Sequence, residues 1–187
     1  MMIWNLPNAL TWLRIFAIPL LVVLFYLPYH WASPAAGLLF SAAAITDTLD
    51  GYLARRLGQT SRLGAFLDPV ADKLIVAVAL VLIVAKDPRA PVVLIAVVVI
   101  GREIAISALR EWMAVIGQRT KVAVSTLGKY KTILQMVGLA MMLYRWDLFG
   151  LPIYQLGFWL SALAAVLTLF TMIAYLRAAW PDLRGRS

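Results

Sequence analysis

Residues 34–86 read PAAGLLFSAAAITDTLDGYLARRLGQTSRLGAFLDPVADKLIVAVALVLIVAK. Two apolar runs, each close to the roughly 20 residues that cross a bilayer as a helix, flank a short polar joint. The chain has nine acidic residues, and four of them, Asp47, Asp50, Asp68 and Asp72, lie in and beside this joint. Carboxylates in such segments are costly, and they mark function when they occur. Asp47 and Asp50 are three positions apart and Asp68 and Asp72 four, so each pair shares one face of its helix. A helical hairpin of this kind presents four carboxylates to one point.

Outward from the hairpin the chain stays apolar. Of 187 residues 63% are hydrophobic and 14% charged, with a mean hydropathy of +0.87. A soluble domain is about half apolar and about a quarter charged, so water is not the main solvent here. No linker, low-complexity tract or repeat divides the sequence, which reads as one membrane domain over residues 1–187. Six spans can be drawn, at 8–28, 34–55, 66–86, 91–111, 127–145 and 152–177. Pro7, Pro34, Pro91 and Pro152 stand at or just before four of the starts, where a missing backbone donor costs little. The expected fold class is therefore all-α: a polytopic membrane protein with six transmembrane helices.

Orientation follows from the basic residues. With both termini cytoplasmic, 14 of the 17 Lys and Arg residues fall on the inner side, and only Lys86, Arg89 and Arg145 fall outside. The positive-inside rule selects that arrangement. Trp4, Trp12, Trp112 and Trp180 then lie near the inner interface, and Tyr29, Trp31 and Trp146 near the outer one, as an aromatic belt. Met1 to Asn8 carries no Lys or Arg ahead of the first apolar run, so the first helix is expected to be retained rather than cleaved as a signal peptide. The net charge of +8 points to anionic partners. In so apolar a chain these are membrane phosphates rather than nucleic acid.

The chemistry open to this chain is bounded by what it lacks. Without cysteine there is no thiolate nucleophile or thiolate metal site. The single histidine, His30, sits between apolar runs and reads as an interfacial loop residue. Four clustered carboxylates repel, and hard divalent ions, which prefer oxygen ligands and commonly share them with substrate phosphates, relieve that repulsion. A site for two such ions clamping a phosphoryl group is the economical reading. Gly51 leaves room for a ligand beside Asp50, and the Arg55 guanidinium near the helix end suits a diphosphate. Ser61 and Gly64 are assigned to the connecting loop. Taken singly, these have structural explanations: Gly51 as helix packing, Arg55 as a topology signal, Ser61 as a cap.

Together they spell Asp47-x2-Asp50-Gly51-x2-Ala54-Arg55-x8-Gly64-x3-Asp68-x3-Asp72. This resembles the defining motif of the CDP-alcohol phosphotransferase family at every fixed position. The resemblance implies that Asp47, Asp50, Asp68 and Asp72 hold two divalent ions, Mg²⁺ or Mn²⁺, and that Asp72 is also the general base. It implies that Asp47, Gly51, Arg55, Ser61 and Gly64 contact the CDP-linked lipid. Asn8 and Thr11, in Pro7-Asn8-Ala9-Leu10-Thr11-x2-Arg14, are similar to the family's N-terminal segment on the nucleotide side, although a capping Asn and an interfacial Thr account for them without a ligand. A homodimer and a multi-pass location in the inner (plasma) membrane, with the active site facing the cytoplasm, belong to the same expectation.

The acceptor is read from the second half. Glu103, Ser107 and Arg110 form a helical stripe, and Arg110 with Lys129 and Lys131 suggests a basic pocket opposite the aspartates. An acceptor bearing a phosphate needs such a pocket, whereas serine or free inositol does not. These segments and Gln135-Met136 resemble the branch of the family that joins CDP-diacylglycerol to glycerol 3-phosphate and yields phosphatidylglycerophosphate for phospholipid synthesis. Inositol phosphate and phosphatidylglycerol are the alternative acceptors. A metal-ion or proton transporter is the non-enzymatic alternative, disfavoured because the acids sit near one surface and the second half has no matching set.

Overall fold

The computed structural model describes residues 6–57, 62–117 and 126–183, with side chains described outside 6–8, 47–57, 62, 63, 65, 126–129, 178 and 181–183. Six helices follow one another: α1 (Leu6–Tyr26), α2 (Ala32–Leu57), α3 (Arg62–Lys86), α4 (Ala90–Val115), α5 (Thr126–Tyr144) and α6 (Ile153–Leu183). At 1.5 Å per residue even the 19-residue α5 reaches about the thickness of a bilayer's hydrocarbon core.

Helix boundaries obey local chemistry. Pro91 occupies the first turn of α4, and α6 begins one residue after Pro152. Gly117, with φ +76°, follows the Ile116 cap of α4, where a left-handed residue closes a helix most easily. Two helices run past their apolar cores, α4 to Val115 and α6 to Leu183, because polar residues near an interface extend a helix without entering the lipid. For the same reason α3 begins at Arg62, so Gly64 lies buried in its first turn rather than in the connecting loop, a correction to the sequence assignment.

Three helices are long and apolar enough to cross a membrane by length and composition: Ala9–Tyr26 of α1, all of α4, and Ile153–Arg177 of α6. The apolar part of α2 is shorter, Ala32–Thr46. Over α3 the signal is diluted by Asp68, Asp72, Lys73 and Lys86. The outer surfaces remain apolar, with Phe16, Leu20, Val81, Val97, Ile104 and Phe170 exposed. That is the pattern of a bundle solvated by lipid.

Successive helices run in opposite directions. The start of α2 meets the end of α5, where Gly37 allows the backbone of Tyr144 to approach, and the end of α3 meets the start of α6 through Asp87 and Tyr154. Contacts pair α5 with α6, α1 with α2 and α3, α2 with α5, and α4 with α6. The α5–α6 seam is closest at Gly138 and Gly157, where a Cβ on Gly157 would lie 2.7 Å from the Gly138 carbonyl oxygen. Small residues at such crossings let backbones pack in lipid, where the hydrophobic effect does not drive helices together.

The main core, built from Leu21, Phe25, Phe40, Leu80, Val99, Leu139, Met142 and their neighbours, fills the half of the bundle toward the ends of α1, α3 and α5. In the other half a small cluster of Ile106, Leu109, Met113 and Ala179 ties α4 to α6. Between that cluster and the main core the bundle is hollow.

Candidate active site

The hollow is a cavity of about 500 Å³ bounded by α3, α4, α5 and α6. Asp72 and Lys73 come from α3, Arg102, Glu103, Ser107 and Arg110 from α4, Lys131, Thr132 and Gln135 from α5, and Tyr175 from α6. Its deeper wall is apolar, with Val76, Val99, Ile100 and Met136. The helical stripe read from the sequence thus faces inward: Glu103, Ser107 and Arg110 all line one chamber, together with Asp72 and Lys131.

Each charged group in the chamber has a definable state of engagement. Arg102 and Glu103, neighbours in sequence, form an ion pair. Lys131 is only 4% exposed, and its Nζ donates a 3.1 Å hydrogen bond to Thr171 Oγ1, whose hydroxyl donates in turn to the Thr168 carbonyl at 2.9 Å. An ammonium has three donors. A buried lysine whose partner among the described residues is one neutral hydroxyl keeps two of them for an anion, and burial without a counter-charge is expensive. Arg110 is exposed at the cavity wall. Lys73 Nζ donates to Ser107 Oγ at 2.7 Å.

The other motif aspartate on α3 belongs to a second contact. Thr11 of α1, 1% exposed, donates its hydroxyl to Asp68 Oδ1. Arg14, one turn further along α1, is equally buried. The N-terminal segment therefore reaches the aspartate helix itself. Pro69, immediately after Asp68, removes one backbone donor from α3, so the chain between the two acids is not a fully bonded helix.

The donor set suits a hard divalent cation. It offers carboxylate oxygens, no thiolate, and no histidine, since His30 sits at the opposite end of the bundle with its ring edge-on to Trp146 at 4.5 Å. Among the described side chains no three acidic, histidine or cysteine groups gather into a ligand set. Asp47 and Asp50 are on the last turns of α2, and their side chains lie outside the described ones, as do those of Asn8, Gly51, Arg55 and Lys129. Ser61 is wholly outside the described residues.

Lys73, Arg102, Thr132 and Tyr175 were not singled out as site residues by sequence reasoning. In the sequence Lys73 and Arg102 read as inner-side charges like the others. For Lys73 a signal existed, namely its place directly after the last motif aspartate. Tyr175 carried none, because nothing in a long apolar helix marks which aromatic residue turns inward.

Comparison with known proteins bears on the same residues. The family model for CDP-alcohol phosphatidyltransferase matches residues 4–173. A protein from Salmonella choleraesuis (strain SC-B67) is 52% identical over 180 residues, 96% of this chain and 97% of its own length. One from Escherichia coli (strain K12) is 51% identical over the same shares. Both are named CDP-diacylglycerol–glycerol-3-phosphate 3-phosphatidyltransferase.

Proposed function

The chain belongs to the CDP-alcohol phosphatidyltransferase family, and from that premise we propose that it transfers the phosphatidyl group of CDP-diacylglycerol to glycerol 3-phosphate, releasing CMP and phosphatidylglycerophosphate. The observation that carries this reading is the chamber that Asp72 shares with the buried Lys131 and the exposed Arg110. A base and an anion cradle in one cavity are what an acceptor with a hydroxyl at one end and a phosphate at the other requires.

In this reading Asp72 accepts the proton of the acceptor hydroxyl. The alkoxide oxygen forms a bond to the lipid-linked phosphorus, the bond to the departing phosphate breaks, and CMP leaves with that electron pair. Asp47, Asp50, Asp68 and Asp72 would hold two Mg²⁺ or Mn²⁺ ions, which when bound neutralise charge on the diphosphate oxygens. Thr11 orients the Asp68 carboxylate by its hydrogen bond. Arg55, Gly51, Gly64, Ser61 and Asn8 serve the CDP-lipid, and Arg110, Lys129 and Lys131 take the acceptor phosphate. All six helices cross the membrane, both termini are cytoplasmic, and the chamber opens toward the cytoplasm, where 14 of the 17 basic residues then lie.

The test is CMP release by purified protein given CDP-diacylglycerol and Mg²⁺, with glycerol 3-phosphate, inositol phosphate, serine and phosphatidylglycerol as competing acceptors. Release that depends on glycerol 3-phosphate is expected. Preference for another acceptor would overturn the substrate while leaving the reaction class intact, and absence of release with any acceptor would overturn both.

A further inference from the structure

Two cations of the chamber, Lys73 and Arg102, lie outside both the aspartate motif and the acceptor cradle, and only Arg102 is paired with a carboxylate. Lys73 is the residue after Asp72, so the two side chains leave α3 about 100° apart, yet both line the cavity. Its ammonium crosses to α4 and donates to Ser107 Oγ at 2.7 Å. Ser107 is three residues before Arg110, on the same helical face. The Lys73 ammonium is thereby anchored on a serine one helical turn before Arg110, whose guanidinium is proposed for the acceptor phosphate, and it belongs to the residue adjoining the proposed base.

The charges around it are informative. The chamber has four cations, Lys73, Arg102, Arg110 and Lys131, and two carboxylates, Asp72 and Glu103. Glu103 is taken by Arg102. Among the described residues Lys73 has only the neutral Ser107 hydroxyl as partner, which leaves two of its three N–H donors. A lysine placed merely to face the cytoplasm would extend into water. This one is tied instead to the facing helix, inside the chamber.

Resting on the acceptor assignment above, we propose that Lys73, seated on Ser107, is a specificity-determining residue that selects acceptors carrying a phosphate over neutral alcohols. A neutral polyol would leave the excess of cations over carboxylates uncompensated in a partly desolvated chamber. A dianionic phosphate supplies one, and its oxygens suit ammonium donors. Discrimination arises because the wrong ligand leaves charged groups unpaired.

The experiment compares full-length wild type, Lys73→Met, Lys73→Arg and Ser107→Ala in nanodiscs at saturating CDP-diacylglycerol. It measures kcat and KM for glycerol 3-phosphate and for glycerol, and the competitive inhibition constant of inorganic phosphate. Lys73→Met is expected to lower the preference for glycerol 3-phosphate over glycerol by tenfold or more, through KM rather than kcat, and to weaken phosphate inhibition in parallel. Lys73→Arg keeps most of the preference because the charge persists, and Ser107→Ala loses two- to fivefold because the ammonium is no longer anchored. If Lys73→Met keeps the wild-type preference and phosphate inhibition, or lowers kcat equally for both acceptors as a lost tie between α3 and α4 would, the proposal is overturned while the reaction stands. Wild type that shows no preference for glycerol 3-phosphate overturns the acceptor assignment, and the role of Lys73 with it. A Lys73→Met protein that does not fold leaves the decision to Lys73→Arg and Ser107→Ala, where an unchanged preference in Ser107→Ala and a lost one in Lys73→Arg count against the proposal.

Discussion

The two ends of the bundle handle charge in opposite ways. At the end formed by the starts of α3 and α5 and the close of α4 and α6, cations outnumber carboxylates in the chamber, and Lys73, Arg110 and Lys131 have no acidic partner among the described residues. At the far end cations are also in excess, but the Asp87 carboxylate is fully engaged. Asp87, just beyond α3, accepts two 2.7 Å hydrogen bonds from the Arg89 guanidinium and a third from the Tyr154 hydroxyl at the start of α6. The Arg145 guanidinium sits 5.2 Å from the Tyr154 ring centroid, and Lys86 lies 4.4 Å from that of Phe25. Tyr29 stacks on Trp31 beside them. The far end ties the Asp87 carboxylate to Arg89 and Tyr154, sets Lys86 and Arg145 against aromatic rings, and rests on the main core. The near end keeps its charges available at the cost of a hollow, which is what a site for an anionic substrate demands.

That contrast sets the expected effects of perturbation. Rigorous chelation should abolish turnover, and Mg²⁺ or Mn²⁺ should restore it, because the near end is proposed to depend on divalent ions. CMP release after EDTA treatment checks this, and full activity in chelator would remove the two-ion proposal. Asp72→Asn should lower kcat by about 10²–10⁴-fold, the range for loss of a general base. CDP-lipid binding should survive better in it than in Asp47→Asn or Asp68→Asn. Wild-type turnover in this variant would reassign the base.

Arg110→Ala and Lys131→Ala should each raise KM for glycerol 3-phosphate far more than that for CDP-diacylglycerol. A charge-assisted hydrogen bond contributes roughly 1.5–3 kcal/mol, corresponding to about ten- to a hundredfold in kcat/KM. Wild-type acceptor kinetics in both would place the cradle elsewhere. Away from either end, Gly157→Leu should destabilise the bundle by about 1–3 kcal/mol, because backbone rather than a movable side chain blocks the new atoms. An unchanged melting temperature in detergent would mean that the α5–α6 seam can open at Gly157 without cost.

The smallest effect belongs to the far end. The Arg89 guanidinium, assisted by the Tyr154 hydroxyl, holds the Asp87 carboxyl well below the usual carboxylate range, against a smaller opposing effect of burial. A depressed folded pKa contributes stability that is fully present above the unfolded value of about 3.9 and is lost as the pH falls toward the folded value. Asp87→Asn should therefore lower the melting temperature by a few degrees at pH 7, with the difference from wild type narrowing below about pH 4. Its kcat/KM should stay near wild type, and a large loss of activity would break the division between a structural and a chemical end.

Much of this was legible in the residues because the relevant physics is local. Bilayer thickness sets the length of an apolar helix, so the drawn spans differ from the observed helices mainly at their polar ends, as with Gly64 entering α3 and α6 continuing to Leu183. Helical periodicity made Glu103, Ser107 and Arg110 one stripe before any neighbour was known, and it paired Asp68 with Asp72. Which helix each stripe meets is another matter, since six helices with apolar outer surfaces can pack in many orders. Tertiary structure alone joined Lys73 to Ser107, 34 residues away, Thr11 to Asp68 across 57, and Tyr154 to Asp87 across 67. The close α5–α6 crossing at Gly138 and Gly157 was no more visible, because the sequence presents these no differently from any other glycine. The motif that carries the family resemblance was thus written in spacing along the chain, and the placement of charge between helices was decided by packing.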